Sequence, residues 1–199
     1  MNPGELRSKV RILNYECIDG VYRFNAIKEL YSKVENVVER KAFSKFGLRT
    51  DEATAITLRY RKDISKFNAV RFNDDHYLIS VIEDIENKHR YTKLITVKQK
   101  VYLCEAFRNS VVKDKMNRTQ HLLKSIYRFE GYLVEKYTGF NTEGINSNVK
   151  HTLILMTPKV INLKAGDIIE INDIKYNVEV CHVLDEYLNE FEITVFKDV

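Results

Sequence analysis

One strand–turn–strand phrase is written twice in this chain. Residues Ile64–Val81 and Leu163–Val180 superpose without a gap at an offset of 99 residues. The match sets Asn73-Asp74 on Asn172-Asp173, Tyr77 on Tyr176 and Val81 on Val180. Asn and Asp tolerate positive φ and bond their own backbone, so each pair predicts a tight turn between two strands. Each phrase is followed by Ile-Thr-Val, at Ile95-Thr96-Val97 and at Ile193-Thr194-Val195. Upstream, Thr57-Leu58 answers Thr152-Leu153, and Tyr31 to Glu35 answers Gly131 to Glu135. A repeat of this size predicts two similar small β domains, over residues 1–99 and 100–199, instead of one large core.

The surface argues against several function classes. Lys and Arg are interleaved with Asp and Glu throughout, for a net charge of only +4, so a mixed solvated surface is expected before a dedicated nucleic-acid face. Cys17, Cys104 and Cys181 lie far apart without metal or disulfide spacing, which predicts reduced, partly buried thiols in a cytoplasmic product. Met1 to Arg7 carries no apolar run of the signal-peptide kind, and no stretch reaches the length of a membrane span. The chain is therefore expected to be made and kept in the cytosol unless it leaves as part of a particle, with no membrane partner.

Along the chain, Lys9 to Leu13 alternates as a first strand, Asp19-Gly20 turns it, and Val21 to Phe24 returns. Leu30 to Glu35 reads as a further strand. Asn36 and Glu39 have capping-box spacing and Gly47 offers a left-handed stop, predicting a short helix over 37–46. Residues 48–55 read as an arm into the strand Ile56 to Arg61, and Lys93 to Lys98 closes the first unit. Val112, Met116, Leu123 and Ile126 fit a helical stripe, so a second helix is expected within 110–126. Thr138 to Asn148, rich in Gly, Asn and Thr, reads as a long exposed loop. The fold class is mainly β: two tandem small antiparallel barrels or sandwiches, with one or two short helices and long loops.

Catalytic signatures do not emerge. There is no Walker A, GxSxG or HExxH pattern, and no nucleophile stands near a base. The five histidines are scattered; His76 aligns with Lys175, which predicts an exposed hairpin face, and His182 beside Cys181 lacks further ligands. Asp74 and Asp173 are turn acids, and the pairs Glu83-Asp84 and Asp185-Glu186 read as solvated. The expectation is a non-enzyme with no cofactor, no metal and no catalytic residue.

The first half resembles a known family. Lys9 to Leu13, then Lys28 to Glu35, a helix carrying Arg40 to Phe43, the strand Thr57 to Arg61, the step Lys62-Asp63-Ile64 and the hairpin Val70 to Ile79 follow one another in a characteristic order. Over residues 5–98 this order is similar to the tailed-phage head–tail joining family, the small head-closure or stopper proteins of the virion neck. Tyr31 stands where that family usually has Trp.

The resemblance implies a small β-barrel that assembles as a ring beneath the portal or its adaptor. It implies a long loop projecting into the channel to restrain packaged DNA, and an opposite face that docks the tail tube or terminator. The chain would then reside in the virion neck, as a homo-oligomeric ring of six or twelve copies. The candidate channel or ring-contact residues are Arg40, Lys41, Lys45 and Arg49, with Phe140, Asn141 and Asn146 in the second unit. Loosely placed cations suffice for phosphate contact. A tail-completion or terminator protein is the neighbouring alternative. A cytosolic paired-barrel nucleic-acid-binding protein is the other, hinted at by Tyr60 between Arg59 and Arg61.

Overall fold

The computed structural model describes residues 3–36, 53–113, 119–138, 150–183 and 186–196. The chain is mainly β, and it divides into two compact units: Met1–Glu16 with Phe24–Lys100, and Cys17–Arg23 with Val101–Val199.

The first unit contains β1 (Ser8–Ile18) and β2 (Val21–Asn36) except for their shared hairpin end at 17–23, with β3 (Ala53–Arg59), β4 (Ala69–Phe72), β5 (Asp75–Asp84) and β6 (Tyr91–Gln99). Its strands are bonded in the order β1-β4-β5-β6-β3-β2, and a β1–β2 pairing closes the ring. Closure removes the free edges that an open sheet would expose. The expected strands Val21 to Phe24 and Leu30 to Glu35 are one continuous strand, because no Gly or Pro interrupts residues 21–36. Alternation sends Val10, Ile12, Ile56, Leu58, Val70, Tyr77, Ile79 and Leu94 into one core. Ala53, Ala55 and Ile95, with Val81 against them, form a smaller second cluster. At about 1.5–3 kcal/mol for each large aliphatic buried, the first cluster dominates.

The second unit contains β7 (Val101–Lys113), β8 (Thr119–Thr138), β9 (Lys150–Pro158), β10 (Ile168–Ile171), β11 (Ile174–Val183) and β12 (Leu188–Val195). Its order is β8-β7-β10-β11-β12-β9, closed by β8–β9. Renumbered from its own first strand, this is the same ring as in the first unit. Val21 and Tyr22, at the tip of the β1–β2 hairpin, belong to this unit and run parallel to Arg128 and Phe129 of β8. Its most deeply buried large side chains include Phe129, Tyr132, Leu155, Ile169 and Phe191. At Gly131 a Cβ would meet Leu155 Cδ1 at 3.2 Å and the Met156 carbonyl oxygen at 3.3 Å, so a glycine lets β8 press against β9 there.

Local devices repeat as well. Asn73 and Asp74 have φ of 47° and 65°, and Asn172 and Asp173 have 50° and 63°, so both two-residue hairpin loops carry two positive φ values. That twist matches the right-handed twist of the flanking strands. Each second long strand then bulges at the same place, between Ile79 and Val81 and between Val178 and Val180.

Two expectations are corrected. Within 110–126 the described residues are strand: Ser110 pairs with Leu122 and Lys113 with Thr119, so β7 and β8 run on as a two-stranded ribbon. Both faces of the ribbon meet solvent, with Val111, Val112, Leu122 and Leu123 all exposed. No buried-face alternation therefore existed to outvote the accidental helical spacing. The second correction concerns the Ile-Thr-Val equivalence. Tyr77 stands opposite Lys98, and Tyr176 opposite Val195, so the true β6-to-β12 offset is 97 and not 98. A slip of one residue exchanges the faces of a strand: Ile95 joins the smaller cluster, while Ile193 stands opposite Val178, the counterpart of core residue Ile79. The helix expected over 37–46 lies outside the described residues.

Candidate assembly surfaces

The hairpin that repeats also repeats its support. Asn68 Oδ1 accepts the Ser65 backbone N–H at 2.9 Å, and Asn68 Nδ2 donates to the Leu13 carbonyl at 3.3 Å. In the second unit Asp167 Oδ2 accepts the Lys164 N–H at 2.8 Å. Asp167 is buried, and Arg108 closes on it through two parallel hydrogen bonds of 2.7 Å, Nε to Oδ1 and a terminal nitrogen to Oδ2. The carboxylate in turn raises the Arg108 pKa, chiefly through this hydrogen bonding. The entry to β10 is thereby pinned to β7.

Beside the first hairpin lies a transverse row of charge. On β1 and β4, Arg11 stands directly opposite Arg71. Glu29 from β2 reaches Lys9 at 3.0 Å and Arg11 at 3.6 Å. These contacts hold the Glu29 carboxyl below its ordinary range and raise Lys9, hydrogen bonding being the larger cause of each. Arg71 has no ion pair among the described residues, and it lines an open cleft of roughly 330 Å3 with Lys9, Arg11, Glu29, Asn73 and Asp74. Two like charges placed opposite each other across strands are unfavourable in isolation.

The second unit writes the same row with the signs exchanged. Glu170 and Arg71 each sit two residues before their Asn-Asp turn, and Glu170 stands directly opposite Glu105 on β7. Arg128 from β8 reaches Glu105 at 3.6 Å, and Ser125 Oγ donates to it at 2.7 Å. Lys175 is opposite Glu170 in register, but Glu170 has no ion pair among the described residues.

A second cleft in the first unit, of roughly 600 Å3, is lined by Leu6, Leu30 and Leu58 together with Tyr31, Arg59, Tyr60 and Arg61. His89 tilts onto the Tyr60 ring at 4.7 Å between centroids. Lys9 Nζ lies 5.7 Å from the centre of the Tyr31 ring.

The remaining candidates fall as follows. Arg40, Lys41, Lys45 and Arg49, and Phe140, Asn141 and Asn146, lie outside the described residues. They occupy equivalent connections: 37–52 joins β2 to β3, and 139–149 joins β8 to β9. His76 is not on an exposed face. It is 6% exposed, with its ring 4.6 Å from that of Phe24, because the alternation that turns Tyr77 into the core sends His76 to a face that is also covered. Burial, with the nearby Arg71 charge second, drives its pKa down to about 4. Asp84 is not simply solvated: it accepts the His89 backbone N–H at 3.2 Å and its carboxylate lies 2.6 Å from His89 Nδ1, tying a loop of positive-φ residues. His182 pairs with Glu192 at 3.0 Å. Cys104 is buried and pushed up to about 12 by desolvation, while Cys17 and Cys181 are exposed. Among the described residues no group of His, Cys, Asp and Glu is placed to hold a metal ion, and no helix is long and apolar enough to cross a membrane.

Sequence reasoning missed the opposed pairs Arg11–Arg71 and Glu105–Glu170. The 99-residue superposition already sets Arg71 on Glu170, but β1 and β7 are related by a different offset, so the second member of each pair is hidden until register is known.

No protein-family model matches the chain, and no curated protein matches it. Among solved structures it is similar to the phage-like element PBSX protein xkdH from Bacillus subtilis. That match has 7% sequence identity and a TM-score of 0.31, and covers 48% of this chain and 94% of the other.

Proposed function

We propose that this chain is a structural subunit of a tailed-phage neck, a head–tail connector or head-closure protein without chemistry of its own. In this reading six or twelve copies form a ring between the portal or its adaptor and the tail tube or terminator, and packaged DNA passes through the channel. The observation that carries it is the doubled barrel with a long connection at the same place in each copy, 37–52 and 139–149. A barrel supplies a rigid platform, and function is disproportionately carried by the long loops mounted on one. The family that the first half resembles uses such a loop to restrain DNA, and Arg40, Lys41, Lys45 and Arg49 supply cations to the first of them.

Deleting residues 138–148 tests the loop: heads filled with DNA should leak or fail to join tails. Retention and tail attachment both unchanged would remove that loop from the mechanism. Gold-labelled antibody against the chain should decorate the head–tail junction of intact particles, and label confined to the tail tip would contradict the neck assignment.

A second reading rests on the cleft that places Tyr31 and Tyr60 beside Arg59 and Arg61. Aromatic faces interleaved with guanidinium groups suit stacked bases of a single strand. Salt-sensitive binding of a short single-stranded oligonucleotide, lost in Tyr60→Ala, would favour a nucleic-acid-binding protein over a neck subunit.

A further inference from the structure

We propose that the Arg11–Arg71 pair of one copy docks on the Glu105–Glu170 pair of a second copy, so that the chain associates with itself head to tail. The inference deepens the ring reading and rests on it. Each pair consists of two like charges directly opposed on antiparallel strands, at the same position in the same barrel. The spacing within the two pairs is therefore set by the same strand geometry, and the signs are opposite. In each barrel the member on the first strand has one partner from the second strand, Glu29 for Arg11 and Arg128 for Glu105, both at 3.6 Å. The member on the fourth strand, Arg71 or Glu170, is the one left without an ion pair among the described residues. Arg71 and Glu170 are thus the equivalent members left without an ion pair, opposite in sign, and each can pair with the other across the contact. Planar guanidinium groups meet carboxylates through two parallel hydrogen bonds, so the contact fixes orientation as well as sign.

Different surfaces on the two partners make the contact heterologous. A heterologous contact repeated from copy to copy closes into a ring when its rotation divides a full turn. Opposite-charge rows also steer encounter and reject the wrong pairing, since Arg row against Arg row, or Glu row against Glu row, is repelled. An assembly of barrels with the same strand ring needs such a device, because without it first unit on first unit and second unit on second unit would compete.

The test uses the purified full-length chain at low ionic strength, with sedimentation velocity as the readout. Arg11→Glu/Arg71→Glu and Glu105→Arg/Glu170→Arg should each weaken self-association at least tenfold. A 1:1 mixture of the two should restore it, as should the variant carrying all four substitutions. Because reversals beside Glu29 and Arg128 strain the fold, circular dichroism melts accompany each variant, and the milder Arg71→Gln and Glu170→Gln are measured in parallel.

Wild-type assembly that survives all of these variants overturns the proposal and leaves the ring reading standing. A wild-type chain that stays monomeric alone overturns the proposal, and one that also forms no ring with the portal protein overturns the ring reading as well. A monomer whose melting temperature falls in each double variant and recovers in the fourfold one would place the contact within a single chain, also against the proposal. Loss of duplex-DNA binding in the Arg variants, with self-association intact, would assign the cationic row to phosphate instead.

Discussion

Asn68 and Asp167, 99 residues apart, do the same work: each side-chain oxygen accepts the backbone N–H of the residue three before it, at 2.9 Å from Ser65 and 2.8 Å from Lys164. Each also bonds back along its own loop, its N–H donating to the carbonyl of that same residue. The difference lies in what else each holds. Asn68 is neutral and reaches the Leu13 carbonyl, whereas Asp167 is charged and gripped by Arg108.

That difference predicts unequal costs. Asn68→Ala orphans part-buried backbone groups and should lower unfolding free energy by about 1–2 kcal/mol. Asp167→Ala strips both the turn and the partner of Arg108, whose side chain is partly solvated, so about 2–4 kcal/mol is expected rather than the upper end for a fully buried pair. Asp167→Asn keeps the bond to Lys164 and should fall between. Urea unfolding of the three variants checks the order.

His76 makes stability depend on pH. Its folded pKa is about 4 against an ordinary 6.5, so the folded state holds the neutral ring while the unfolded chain takes up a proton first. Above pH 6.5 the residue contributes no pH dependence. As pH falls from 6.5 through about 4, stability is lost, by roughly 3 kcal/mol at most. Thermal melts over that window should show the slope, and His76→Gln should flatten it. An equal slope in the variant would assign the effect to carboxylates.

Gly131 is a packing constraint. In Gly131→Ala the new methyl meets Leu155 Cδ1, a flexible end, but also the Met156 backbone carbonyl, which cannot retreat without moving β9. A loss of about 1–3 kcal/mol is expected, with Gly131→Val worse. A chemical melt of Gly131→Ala indistinguishable from wild type would show that β9 accommodates the methyl.

The exposed ribbon predicts the reverse. Val111→Thr and Leu123→Thr change side chains that contribute nothing to either barrel interior, so midpoints of unfolding should shift by less than about 0.5 kcal/mol equivalent.

Much of this architecture was legible in the residues. The Asn-Asp dipeptides gave both hairpins because few other pairs accept two consecutive positive φ values, and the mainly β class followed from short alternating strands between turns. The ribbon at 110–126 was not legible, since strands exposed on both faces leave no period of two in hydrophobicity. The β6–β12 equivalence misled for another reason: Ile-Thr-Val is a generic strand, and only the register of Tyr77 and Tyr176 tells 97 from 98. His76 was misplaced because its place was read from Lys175, its exposed counterpart in the second copy, whereas both faces of β5 are covered at His76. The charge rows need two offsets at once, one for β4 and another for β1, which a gapless comparison cannot supply.

The account stands or falls on assembly. Electron microscopy of the purified full-length chain, incubated with the portal protein from the same particle and classified for rotational symmetry, tests it most directly. The account predicts closed rings of six or twelve copies seated coaxially on the portal. Monomers scattered in the background, with bare portals beside them, would contradict it.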